Sequence, residues 1–295
     1  MWKIAGLLLL KIVLAPHGIA HAGNCPTTPD RYCDDRQPHR ISVKIYRNFL
    51  VVAEGRLEGV PESQNFILDT GTAPSIINVR LVKQLGLATI PSSFTAIGKI
   101  IAAQAAVLPE LTLGPIRAVS LPVVVQDLSQ LERDLGIPIA GLVGLDVLSK
   151  SSFRLNYDKR EIEFGEISHK GIPVQFNARA GLAVAEMEIE GKELHILVDT
   201  GSDQVVLLGG NIAKQGWLAL RNTSQTGTSL VDGNMDIRVI HAPDMILEGQ
   251  HFSVERVYFI PGRTDPVFDG LLGVRALGFR CLSYDPGSGA IYLQR

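Results

Sequence analysis

The feature that most constrains this chain is that its second half repeats its first. Ala53-Glu54 and Leu57-Glu58-Gly59 recur 132 positions later as Ala185-Glu186 and Ile189-Glu190-Gly191. Asp69-Thr70-Gly71 recurs as Asp199-Thr200-Gly201 at an offset of 130. Gly-Leu-Val-Gly at 141–144 recurs as Gly-Leu-Leu-Gly at 270–273, and Tyr157-Asp158 as Tyr284-Asp285. The offset drifts in small steps, as it does when loops gain or lose a residue and the elements between them do not. The 295 residues therefore divide into halves at 41–166 and 172–295, with Ile-Ser-His-Lys-Gly between them as a linker. Related halves usually pack about a pseudo-twofold axis, and equivalent residues near that axis then meet.

Within each half the pattern is that of short strands. ISVKIY, FLVVAEG, NFILD, ELTLG and SLPVVV in the first half are matched by LAVAEMEIEG, ELHILVD, DIRVIH, VERVYFI and AIYL in the second. These runs are rich in Val, Ile and Leu and are bounded by Gly, Pro, Asn or Asp. Helical spacing is confined to three short stretches, 78–86, 126–136 and 211–217. The fold class is therefore all-β with few short helices.

The N-terminus has a different character. Lys3 precedes an apolar run from Ile4 to Ala15, and Ala20-His21-Ala22 forms a small-x-small site. Residues 1–22 are read as a signal peptide cleaved before Gly23, which makes the mature protein exported, periplasmic or secreted. An uncleaved membrane anchor is the alternative, although the run is short for a bilayer. Residues 23–40 form a polar, Pro-containing arm. Cys25 and Cys33 lie close enough in that arm to close a small loop, which leaves Cys281, in a strand-like run, as a buried thiol. The net charge of −2 offers no basic footprint for nucleic acid. No metal-ligand spacing, nucleophilic-serine motif or phosphate loop is present.

The two Asp-Thr-Gly motifs carry the chemistry. Each follows an apolar run (ILDTGT and LVDTGS), so each strand ends by delivering a carboxylate to a tight turn. A lone buried carboxylate is costly. Two of them meeting at the axis cannot both ionise cheaply, so they share one proton. Such a pair holds a water, takes its proton as general base and protonates the leaving group as general acid. The glycines are expected to supply dihedrals that a side chain forbids.

With these motifs the sequence resembles aspartic peptidases of the pepsin–retropepsin kind, and most closely bacterial retropepsin-like proteins with two such units in one chain. ILDTGT and LVDTGS carry the resemblance, together with GLVGLDVL (141–148) and GLLGVRAL (270–277). It implies two homologous β-barrel lobes about a pseudo-twofold axis. Asp69 and Asp199 would be the catalytic dyad. Thr70 and Thr200 would cross-brace the two loops, and Gly71 and Gly201 would permit their turns. Thr72 and Ser202 would hydrogen-bond the outer carboxylate oxygens, and Gly144 and Gly273 would close a ψ-shaped loop beneath each motif. The family needs no metal or cofactor, and its partner is an extended peptide substrate bound under a hairpin flap. A monomer with intramolecular pairing of halves follows from two motifs in one chain.

The flaps are expected at 92–107 and 226–241, each with a glycine where a hairpin can turn. Ile97, Ile100 and Ile101 suit covering an apolar peptide. Neither flap has the tyrosine of pepsins. His195 reads as a strand-face residue, and Asp146, whose repeat partner is Arg275, implies no symmetric role. Asp127, Glu132 and Asp134 read as a solvated helix face. A catalytically silent peptide-binding or scaffolding protein on the same fold is the competing reading.

Overall fold

Leu50–Leu57 and Leu182–Ile189 have the same burial along their eight residues, four buried positions followed by strict alternation. The first part of each strand is covered on both faces, and the second has one face in water. This pair opens a computed structural model that describes residues 12–13, 39–214, 223–229, 233–241 and 244–295. It is mostly β, with short helices at Val79–Gln84, Ser129–Leu135, Leu145–Leu148 and Gly209–Lys214. Strand His39–Tyr46 begins two residues ahead of the boundary expected at 41, because His39 and Arg40 pair with Phe164 and Glu163. Cys25 and Cys33 lie outside the described residues. Cys281 is a buried free thiol in strand Cys281–Asp285.

The same pairings recur in both halves. Leu50–Leu57 lies antiparallel to Gln64–Leu68, and Leu182–Ile189 lies antiparallel to Lys192–Asp199. Gly141–Val143 then inserts parallel to Gln64–Leu68 and antiparallel to Ile76–Asn78. Gly270–Gly273 inserts in the same way beside Lys192–Asp199 and Val205–Leu208. These inserted strands are buried on both faces, which explains why they read as unbroken apolar runs rather than alternating ones. The helix at 129–135 is less solvated than its sequence suggests. Glu132 turns inward, accepting from Ile139 N (2.9 Å) and Arg80 Nε (3.2 Å), while Asp127 and Asp134 stay exposed.

A six-stranded antiparallel sheet joins the halves. Its order is His39–Tyr46, Glu161–Phe164, Phe153–Asn156, Cys281–Asp285, Ala290–Gln294 and Ile172–Arg179. The central pair crosses between halves, with Phe153 opposite Tyr284 and Leu155 opposite Leu282. The Phe153 ring stacks on Tyr284 at 5.3 Å, and Tyr284 stacks on Phe176 at 5.2 Å. One apolar cluster runs continuously from Val43 and Phe66 in the first half to Ile196 and Leu272 in the second.

Because this core is shared, the halves are expected to unfold together. Phe153→Ala removes a fully buried ring at the seam and should cost about 3–5 kcal/mol. Urea unfolding should remain a single transition at a lower midpoint. Two separate transitions in the wild type would show that each half holds its own core.

Candidate active site

The paired strands bring the two Asp-Thr-Gly motifs face to face. Asp69 sits at the end of Gln64–Leu68 with its N–H bonded to Val143 O (3.0 Å), and Asp199 ends its strand opposite Gly273. Each inserted glycine strand therefore fixes the height of one aspartate.

The threonines lock the motifs to each other reciprocally. Thr70 N–H donates to Thr200 Oγ1 and Thr200 N–H to Thr70 Oγ1, both at 3.0 Å. Each hydroxyl then donates across the axis, Thr70 Oγ1 to Val198 O (2.8 Å) and Thr200 Oγ1 to Leu68 O (3.0 Å). Four hydrogen bonds thus close a ring between two segments 130 residues apart in sequence. Both threonines are buried, so no water competes for these groups.

The glycines act through space, not dihedral freedom, which corrects the expectation from sequence. Neither Gly71 nor Gly201 adopts a positive φ. A Cβ on Gly71 would stand 2.6 Å from the Asp199 carboxyl, and one on Gly201 would stand 2.8 Å from that of Asp69. Any side chain there would occupy the place of the opposite carboxylate. Gly144 and Gly273 follow the same logic one layer below. Their φ values are −93° and −64°, yet a Cβ would meet Thr72 O at 2.1 Å and Ser202 O at 2.5 Å.

The carboxyls themselves are fully buried, and the Asp199 carboxyl lies close enough to Asp69 to act on its titration. Asp69 Oδ1 accepts from Gly71 N (2.8 Å) and Oδ2 from Thr72 Oγ1 (2.8 Å), while Asp199 Oδ1 accepts from Gly201 N (2.6 Å). Burial pushes the Asp69 carboxyl up to about 6, against the pull of the Thr72, Asp199 and Gly71 hydrogen bonds. Two buried acids that touch hold a proton between them at pH values where a free carboxyl would have lost it.

The outer bond expected from Ser202 is absent. Its Oγ accepts from Gln204 N (3.1 Å) and reaches Gln204 O (3.3 Å), a local turn that competes for the hydroxyl. The first half has an additional brace that reading the sequence missed. Asp146 accepts from Ser75 N (3.0 Å) and Ser75 Oγ (2.7 Å), and Ser75 Oγ accepts from Gly144 N (2.9 Å). In the second half Gly273 N finds Gln204 O instead (2.8 Å). The asymmetry between Asp146 and Arg275 in the repeat was the only trace of this in sequence.

The first expected flap is a hairpin of Ile90–Ala96 and Lys99–Leu113, turning at Ile97-Gly98. Ile97 is buried, whereas Ile100 is 71% exposed, so the two are not equivalent on the flap. The second is a hairpin of Thr223–Ser229 and Gly233–His241, whose turn at 230–232 lies outside the described residues. Strand Ile12–Val13 lies parallel to Thr72–Ala73 and antiparallel to the first flap at Thr95. An extended segment thus fits between the end of one Asp motif and the flap. His195 is a half-exposed strand residue, as expected, with Nδ1 3.3 Å from Asp269 Oδ2.

Comparison with known families gives the same assignment for the first half. Residues 53–147 match the family model described as aspartyl protease. That stretch is similar to the aspartyl proteases. It runs from within strand Leu50–Leu57 to the helix after Gly144, and so contains one whole Asp motif with its flap and inserted glycine strand. Among curated proteins, none matched the chain. The match supports a protease-like first half, and the second half supplies a second Asp-Thr-Gly in the same setting.

Two outcomes test this geometry. Thr70→Val strands Thr200 N–H and Val198 C=O in a dry site and should cost roughly 2–5 kcal/mol, while Thr70→Ser should recover most of it. Urea midpoints decide this, and equal losses for Val and Ser would contradict the hydroxyl ring. The second outcome concerns pH. The folded state keeps the Asp69 proton up to about 6, while the unfolded chain releases it near 3.8. This contribution to stability is complete below pH 4 and is lost as pH rises through 6, a change of roughly 3 kcal/mol. The wild-type urea midpoint should fall between pH 4 and 7, and Asp69→Asn should flatten that fall. An identical pH slope in the variant would contradict the raised carboxyl.

Proposed function

We propose that this protein is an exported aspartic endopeptidase in which Asp69 and Asp199 share one proton and activate a water against a peptide bond. The observation that carries this reading is the contact between the two buried carboxyls, each lying where the other motif's glycine leaves room.

The chemistry follows from one proton on two acids. The ionised carboxyl removes a proton from water as the water oxygen attacks the peptide carbon. The protonated carboxyl gives its proton to the carbonyl oxygen, which forms a neutral gem-diol. Proton transfer to the nitrogen then lets the C–N bond break, and the pair returns to its one-proton state. Thr72 and the glycine N–H groups hold the carboxyls in line, and no metal is needed for this cycle. The expected substrate is an extended peptide between the halves, beneath the Ile90–Leu113 hairpin. The backbone pairing of Ile12–Val13 with Thr72–Ala73 and Thr95 supports it, since any extended peptide can add to those edges by main-chain bonds.

Export rests on Lys3, the apolar run to Ala15 and the Ala20-His21-Ala22 site. Cleavage before Gly23 would also clear Ile12–Val13 from the slot. A single chain supplies both aspartates, so the protein acts as a monomer.

Peptide-library cleavage by the wild type beside Asp69→Asn and Asp199→Asn tests the proposal. Each variant should lose at least about a thousandfold in kcat/KM. The wild-type pH profile should be bell-shaped and fall as pH rises through about 6, where the Asp69 proton leaves. Peptide binding without cleavage would favour the silent scaffold. Activity surviving in either variant, or rising steadily into alkaline pH, would contradict the shared pair.

A further inference from the structure

The two halves use one asparagine each for the same task, and in the second half that task has grown. Asn78 Nδ2 donates to Ile139 O (3.0 Å), two residues before Gly141. Asn211 Nδ2 donates to Phe268 O (2.9 Å), two residues before Gly270. Asn211 goes further, donating to Asp265 O (2.8 Å) and Asp269 Oδ1 (3.0 Å) and accepting from Asp265 N (3.2 Å). Val267 N–H bonds Asp265 Oδ1 (2.9 Å), Gly210 N–H bonds Arg263 O (2.7 Å), and Asp269 Oδ2 accepts from His195 N (2.9 Å). Asn211 thus makes four of the bonds that pin the loop at 261–269.

That loop is what the first flap rests on. A Cβ on Gly98 would stand 2.1 Å from Thr264 O, so the flap turn lies directly on the loop backbone. Ile97 is 2% exposed and packs in a cluster with Leu182, Val206, Tyr258, Phe268 and Leu271, all from the opposite half. Its backbone, however, is unfavourable. Ile97 has φ 47° and Gly98 φ 69°, which suits a two-residue hairpin turn but places a β-branched residue in the left-handed region. Burial of the Ile97 side chain offsets that strain only while the seat is in place.

We propose that Asn211 is a positioning residue for the flap. By holding 261–269 it sets the height at which Ile97-Gly98 closes over the aspartate pair, and so sets how tightly the peptide is gripped. This rests on the peptidase reading above, with Asn211 acting through the flap and touching neither substrate nor carboxyls. Without the clasp the loop sags, the Ile97 pocket opens, and the strained turn lifts.

Two variants reach the same end by different routes. Asn211→Ala loosens the seat, and Gly98→Ala pushes the flap off an intact seat. Each should raise KM about tenfold with kcat within about threefold of wild type, the signature of weakened substrate grip. In a cycle with Ile97→Ala, the double variant Asn211→Ala/Ile97→Ala should raise KM no more than the larger single change, because both remove one contact. Amide hydrogen exchange reads the seat without activity. Residues 94–101 should lose protection in Asn211→Ala and in Gly98→Ala, while strand 194–198 keeps its own. If the wild type cleaves no peptide, the peptidase reading fails, and the exchange arm still decides the seat. Unchanged exchange at 94–101 in both variants overturns the proposal. So does additivity in the cycle, which would make Asn211 a structural residue of its own half.

Discussion

Everything in this structure turns on burying two carboxyls in contact. The Asp69 and Asp199 side chains have at most 1% exposure and lie against each other. Neither could be buried ionised and alone, so each aspartate is the condition for the other. The reciprocal threonine ring keeps them in register, the motif glycines leave them room, and the inserted strands set their height. The six-stranded sheet then joins the two halves so that this register does not depend on association of separate chains.

The duplication is stricter in topology than in sequence. The family match stops at Val147, yet every pairing that positions Asp69 has a counterpart around Asp199. The elements kept in both halves are those that touch the axis. Those that diverge lie one step away. Ser75 and Asp146 brace the first glycine strand, and the Gln204 carbonyl serves the second. Thr72 reaches its carboxylate, and Ser202 turns to its own loop. The second half instead elaborates its clasp around Asn211 and offers the surface on which the other half's flap sits. The two halves are thus alike at the chemistry and complementary at the cleft.

The sequence disclosed what is local and repeated. ILDTGT and LVDTGS named the aspartates, and the resemblance to aspartic peptidases implied that the glycine segments close a loop beneath them. Helices at 79–84 and 129–135 appeared where their short apolar spacing put them, and of the stretch expected at 211–217 residues 211–214 are helical while 215–217 lie outside the described residues. What stayed hidden depends on contacts between distant segments. Gly71 looked like a turn former and proved to be a vacancy for the opposite carboxyl. Glu132 looked like a solvated helix charge and turned inward to a backbone N–H. Ile97 and Ile100 looked equivalent, although the turn buries one in the opposite half and exposes the other. No period or motif encodes which half a flap residue will meet.

The central claim is that two aspartates share a proton, and carboxyl carbon NMR titration of labelled Asp69 and Asp199 tests it most directly. The account predicts that the pair keeps one proton until pH rises through about 6, and that both resonances respond to its loss. Substituting Asp199→Asn should change the Asp69 titration. Two independent titrations near pH 4, each insensitive to loss of the other aspartate, would contradict it.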